Sequence, residues 1–323
     1  MNKAELEAQQ ARRKRINRMK TIIVTTIAVW MLLSFLAIVV LSVCLGKLNH
    51  RVHILEQAQN TTSADLSPGS DAVPDDTGNA DTPGVEDASE MVNVDYTKVV
   101  RGIDTEDNMA SEGDTHYVYL TFDSTPGANT DAIMDILDSY QVKATFFVAG
   151  DVPDEYYDTV RRIVNDGHSL GMHSFSNQYS TIYASTEAFA DDLQQISDYL
   201  FEMTGVRSDL YRFPGGSGNE ISNVDMAEFV HILNLNDISF FDWNVSSGDA
   251  ASDYSSEDVV NNVLEGISQY KTSVVLLHDA PDKSETVAAL STLIESLQEE
   301  DAQILPIDEN TTRIQYIKAD SVQ

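Results

Sequence analysis

Cysteine is almost absent from this chain, and positive charge is scarce. The single cysteine, Cys44, has no partner for an intrachain disulfide, so cysteine usage says nothing about compartment. Lysine and arginine number 20 against 52 aspartates and glutamates, for a formal charge of -32. A surface this acidic offers nothing to a DNA or RNA backbone, because that contact depends on cationic side chains displacing counterions. Nucleic acid is therefore excluded as a partner. Internal repeats are absent. The stretch "PGGSG" invites comparison with a phosphate cradle, but it lacks the lysine and hydroxyl residue that complete a P-loop.

Residues 1–20 form a basic tail with seven lysines and arginines. Residues 21–45 then contain no charge. As a helix they would rise about 37 Å, enough for a hydrocarbon layer of roughly 30 Å. A cleaved signal peptide fits less well, since its apolar core is shorter and ends in small residues. The pattern predicts a signal-anchor with the amino terminus cytoplasmic and the rest of the chain outside. Residues 46–111 read as a short outer helix followed by an acidic linker. Leu45, Leu48, Val52 and Leu55 keep helical spacing and allow weak homo-association. Residues 57–97 carry nine acids, no lysine or arginine, and Pro68, Pro74 and Pro83, so they read as a disordered spacer.

From residue 112 short apolar strands alternate with amphipathic helices. Strands are expected at "TFDS", "VKATFFVAG", "HSLGMH", "LYRFPGG", "ISFFDWNV", "TSVVLLHD" and "AQILPI", with helical patterns between them. Such alternation argues for an α/β fold with a parallel sheet, a barrel or an open sandwich. Either architecture gathers its site at the carboxyl ends of the strands. Five polar clusters occupy such ends: Asp123 with Ser124; His173, Ser174 and Asn177; Arg212 with Pro214, Gly215 and Gly216; Asp242 and Trp243 with Ser247 and Asp249; and His278 with Asp279. Each alone has a plain reading as a turn, a cap or a packed ring. Together they place an acid, an arginine and two histidines on one rim. A guanidinium can orient a carboxylate, and a histidine paired with an acid can protonate a leaving amine.

In these motifs and their order, residues 112–310 resemble the polysaccharide deacetylases of the NodB-homology type, carbohydrate esterase family 4. The resemblance implies a distorted (β/α) barrel that holds a divalent metal and removes N- or O-acetyl groups from glycans. Residues 311–323 stand as a carboxyl-terminal tail. Residue by residue, it makes Asp123 the base, Arg212 its orienting partner, His278 the acid and Asp249 the carboxylate that tunes it. Pro214, Gly215, Gly216 and Trp243 fall on the substrate groove, although Gly215 replaces a common aromatic. His173 matches a metal ligand. Ser124 stands where the family has a metal-binding aspartate, and Asn177 where it has a second histidine. Two of three usual ligands are therefore changed, and a catalytic zinc site ordinarily keeps three protein donors.

The expected cofactor is none tightly bound; a weakly held Zn, Mn or Mg could draw on His173 with Asp123, Asn177 and Ser124. The main functional expectation is a membrane-anchored deacetylase homologue with deacetylation lost or strongly reduced and glycan binding retained. The alternatives are an active hydrolase with a modified or weakly bound metal, acting on peptidoglycan or a related glycan, and an envelope protein-interaction module. The expected partners are cell-envelope polysaccharide, foremost peptidoglycan, and a lipid bilayer through residues 21–45. The expected location is the bacterial plasma membrane, single-pass, with the folded domain extracytoplasmic.

Overall fold

The computed structural model describes residues 94–103 and 106–323. One sheet holds eight parallel strands: β1 (Tyr117–Ser124), β2 (Thr145–Ala149), β3 (Ser169–Ser174), β4 (Leu210–Tyr211), β5 (Ser239–Phe240), β6 (Val245–Ser246), β7 (Thr272–Leu277) and β8 (Gln303–Ile304). The helices are α1 (Ala128–Ser139), α2 (Tyr157–Asn165), α3 (Tyr179–Ile182), α4 (Thr186–Thr204), α5 (Met226–Leu235), α6 (Ser256–Ile267) and α7 (Ser284–Glu299). Their ends follow local chemistry. Ser255 and Asp258 cap each other's backbone at the start of α6, and α4 stops at Gly205 in a left-handed conformation.

The strands run in the order β5-β4-β3-β2-β1-β7-β6, with β8 joining the start of β1. The two edge strands, β5 and β6, are consecutive in the chain. Between them, Phe241 N donates to Tyr211 O at 3.0 Å, while Asn244 N donates to Val274 O at 3.2 Å. The sheet has therefore curled until four residues cross from one edge to the other. Residues 313–317 fill the gap, with Asp242 N donating to Ile314 O at 2.8 Å. The expected barrel is thus corrected to an open, curled half-barrel, because its edges are joined by a loop and not by a strand ladder.

Strand parity sorts the side chains. Val118, Leu120 and Phe122 of β1 enter the large core shared with the helices, as do Phe146 and Val148 of β2 and Val275 and Leu277 of β7. Tyr119, Phe147 and Val274 take the other parity and pack with Phe241, Ile307 and Ile314 on the concave face. Thr121 and Asp123 share Tyr119's parity, so they continue that face to the carboxyl rim. Gly171 on β3 is required there. A Cβ on it would lie 2.3 Å from a ring carbon of Phe147.

Three membrane-related expectations are corrected. Among the described residues no helix is long and apolar enough to cross a membrane. The expected transmembrane helix at 21–45, its basic tail and the outer helix all lie outside the described residues. The structure consequently gives no support to a single-pass anchor, a lipid bilayer partner or a plasma-membrane location. Toward the amino end of the described residues, Val94 is buried, and Arg101 bridges to Ile317 and pairs with Asp225 at 2.5 Å.

Candidate active site

Arg212 follows β4 and is wholly buried. Its guanidinium lies over the Phe147 ring, 4.2 Å from the centroid. Nε donates to Phe241 O at 2.9 Å and Nη2 to Asp242 O at 3.1 Å; Nη1 reaches Thr121 Oγ1 at 2.6 Å and Asp123 Oδ1 at 2.9 Å. A cation this deep is tolerable only because its donors are matched by acceptors and a counter-charge. Asp123 is 5% exposed, and its Oδ2 receives no hydrogen bond from the described residues.

His173 ends β3 on the same concave parity. Its Nδ1 lies 2.9 Å from Arg212 O, a contact that makes Nδ1 the protonated nitrogen and leaves a lone pair on Nε2. Burial lowers its pKa, against the opposing charge of Asp123, and so favours this neutral form.

Across the rim, His278 follows β7. Its Nδ1 and its backbone N each lie 2.8 Å from the Asp249 carboxylate, which also accepts from Thr286 Oγ1 at 2.9 Å. Burial works against a charged imidazole, but the hydrogen bond and charge of Asp249 outweigh it, with Asp123 adding, and hold the His278 pKa above its ordinary value. Asp249 is desolvated as well, yet the same pairing leaves its pKa below the usual carboxylate range. The result is a histidine whose charged form is favoured and oriented by Asp249, within the electrostatic reach of a carboxylate held by arginine.

The positions bearing on metal are arranged otherwise. Ser124 Oγ donates to Asp279, a buried carboxylate that also accepts from Thr130 Oγ1. Burial raises the pKa of Asp279. Asn177 is exposed, in a left-handed conformation with φ 48°. Among the described residues no group of three or more histidines, cysteines, aspartates or glutamates is placed to hold an ion. The donors around His173 therefore do not fit a three-ligand zinc site: one nitrogen remains, and the serine and asparagine bring neutral oxygens.

Asp242 serves the scaffold. Its carboxylate accepts from Ser217 N at 2.7 Å and Tyr316 N at 2.6 Å. Pro214, Gly215 and Gly216 turn one residue beyond Arg212, after Phe213, and both glycines have positive φ, 78° and 81°. Trp243 is half-buried beside them and meets Tyr316 edge-on, with ring centroids 5.6 Å apart. His168 lies away from the rim, accepting from Ala144 N at 3.1 Å. A cavity of about 510 Å³ also exists, lined by the starts of β3, β4 and β5. Arg207 there is already paired with Asp198, and the acid–base pairs lie at the other ends of the strands. The rim is therefore the candidate active site.

Sequence reasoning missed four contributors: Thr121, Thr286, Tyr179 and Tyr316. Thr121 was accessible, standing two residues before Asp123 and hence on the same strand face. The others reach the rim from helices or the final segment, and nothing local marks them.

Residues 110–229 match the family model described as polysaccharide deacetylase. The Bacillus subtilis protein YheN, whose name is that of a polysaccharide deacetylase, is 32% identical over 212 residues, covering 62% of this chain and 69% of its own. A peptidoglycan-N-acetylglucosamine deacetylase of Bacillus cereus is 28% identical over 186 residues, covering 56% of this chain and 65% of its own. Among solved structures, the catalytic domain of a peptidoglycan N-acetylglucosamine deacetylase from Eubacterium rectale superposes with a TM-score of 0.60 at 37% identity, covering 64% of this chain and 95% of that one. These likenesses correct the main functional expectation. A membrane-anchored pocket that holds sugar without turning it over is supported less well than a deacetylase, since the relatives carry that name and both hydrogen-bonded acid–base pairs are present.

Proposed function

The chain belongs to the polysaccharide deacetylase family, and from that premise we propose that it is a hydrolase removing N- or O-acetyl groups from peptidoglycan or a related glycan. One observation carries the reading: the Asp123–Arg212 pair, at 2.9 Å, stands within the electrostatic reach of the His278–Asp249 pair, at 2.8 Å. Those are the two halves of an acyl-transfer site, a base and an acid.

Asp123 takes a proton from water, whose oxygen attacks the acetyl carbonyl carbon. Arg212 fixes Asp123 through Oδ1 and leaves Oδ2 for that proton. The bond from carbonyl carbon to sugar nitrogen or oxygen then breaks. His278 delivers its Nε2 proton to the departing atom, giving acetate and a free amine or hydroxyl. Asp249 favours the charged imidazole and, by holding Nδ1, aims its Nε2 away from itself. The lone pair of His173 Nε2 is the remaining nitrogen donor for a modified or weakly held divalent ion, and no step above depends on it.

The test is acetate release from acetylated chitooligosaccharides and peptidoglycan fragments, with zinc, manganese and magnesium supplied in turn. Release that disappears in D123N and H278A, both still folded by circular dichroism, supports the reading. Absence of release with every metal and substrate refutes it.

A further inference from the structure

The turn at Gly215–Gly216 is enclosed by two tyrosines that the acid–base pairs do not engage. A Cβ on Gly215 would lie 2.8 Å from Tyr179 Oη and 2.9 Å from its Cε1. On Gly216 it would lie 2.9 Å from Tyr316 Cε2 and 3.2 Å from Trp243 Cη2. A ring thus rests against bare backbone at each glycine. Both rings are half-buried, so each keeps part of its surface in solvent.

Each ring is held in place. Tyr179 meets Tyr183 edge-on at 5.9 Å, and the Tyr183 hydroxyl donates to Pro214 O at 2.8 Å. Tyr316 is anchored through its backbone N to Asp242 and through its hydroxyl to Trp243 O at 2.7 Å. Only their hydroxyls differ in use. That of Tyr316 is spent on the protein, whereas that of Tyr179 has no hydrogen-bond partner among the described residues. Tyr179 also feels Asp123: burial first, and then that negative charge, raise its pKa. Its free donor lies against Gly215, three residues past the Arg212 that holds Asp123.

We propose that Tyr179 and Tyr316 form the walls of a sugar-binding cleft floored by the Gly215–Gly216 backbone, with the Tyr179 hydroxyl hydrogen-bonding the reacting sugar. The chemistry suits a neutral pyranose. Its C–H faces are apolar and match aromatic rings, while hydroxyl and acetamido groups around its edge pair with a phenol. The assignment rests on the deacetylase reading for the identity of the sugar. It adds two substrate contacts, one on the short α3 turn and one in the carboxyl-terminal segment.

The experiment uses the full chain with the tetramer of N-acetylglucosamine, following binding by calorimetry and turnover by acetate release. Tyr179→Ala and Tyr316→Ala each weaken binding about tenfold, as loss of an aromatic wall requires. Tyr179→Phe keeps its wall but loses the free donor, and binds more weakly than wild type. Tyr316→Phe stays within about twofold of wild type, since that hydroxyl faces Trp243. If Tyr316→Ala fails to fold, the two phenylalanine variants decide, and the reverse order overturns the proposal. Alanine variants that bind like wild type while acetate release continues remove the cleft and leave the deacetylase standing. A wild-type chain that neither binds the tetramer nor releases acetate removes both.

Discussion

Replacing Asp249 with asparagine takes away the charge opposite His278 and keeps the shape. In the folded chain this carboxylate accepts from His278 N and Nδ1 at 2.8 Å and from Thr286 Oγ1 at 2.9 Å. An asparagine oxygen can serve some of these donors, but its NH2 must then face another. At least one buried donor is left unpaired, at about 1–3 kcal/mol. For a domain of this size that lowers the melting midpoint by about 2–12 °C. The pH dependence is more diagnostic. The His278 pKa is raised in the folded chain, so its contribution to stability is complete below the unfolded value and fades as pH rises through the folded one. In Asp249→Asn burial is opposed only by the smaller influence of Asp123, and the pKa falls. The stability gap between wild type and variant should therefore be widest at the acidic end of pH 5–9 and narrow with rising pH. Deacetylation should drop by about 10²–10⁴ in kcat/KM, its alkaline limb moving to lower pH. NMR titration of the His278 ring reads the shift without needing turnover. A variant whose His278 titrates at or above the wild-type midpoint would refute the reasoning.

Arg212→Met removes donors to Phe241 O, Thr121, Asp123 and Asp242 O and leaves Asp123 without its cation. The expected cost is about 3–5 kcal/mol, read as a lower midpoint in urea, and a midpoint equal to wild type would show that the pair is not structural. Ser124→Asp combined with Asn177→His restores the family's ligand types, but it sets a new carboxylate against buried Asp279. Thermal stability of that double variant should fall in chelator and recover in zinc while wild type stays unmoved; an equal zinc response in both chains would contradict the placement of the lost donors.

Much of the fold was legible where burial is two-sided. The apolar runs at β1, β2 and β7, the short stretch at β3 and the helical periodicities of α1, α4, α6 and α7 alternate along the chain, and that alternation argued for a parallel sheet covered on both faces. The stretch "ISFFDWNV" was not legible as it stands. It reads as one strand, but β5 pairs with β4 and β6 pairs with β7, so the chain leaves the sheet at Phe241 and rejoins it on the far edge. Pairing partners are set by sheet curvature, which no local pattern encodes. At the site, Asp123, His173, Arg212 and His278 stood out because each stands at the carboxyl end of a strand. Tyr179 and Tyr316 did not, because neither does.

By itself, the sequence determined the chemistry at hand: an acidic chain with one cysteine, a rim bearing an acid, an arginine and two histidines, and two neutral residues where ion-binding side chains would stand. Only the tertiary structure decided how these act. Residue type sets what a group can donate or accept, whereas a buried charge takes its value from neighbours distant in the chain. Arg212 meets Asp123 across 89 residues and Asp249 meets His278 across 29. Ser124 turns to Asp279, 155 residues away. Those meetings exist only once the sheet has curled.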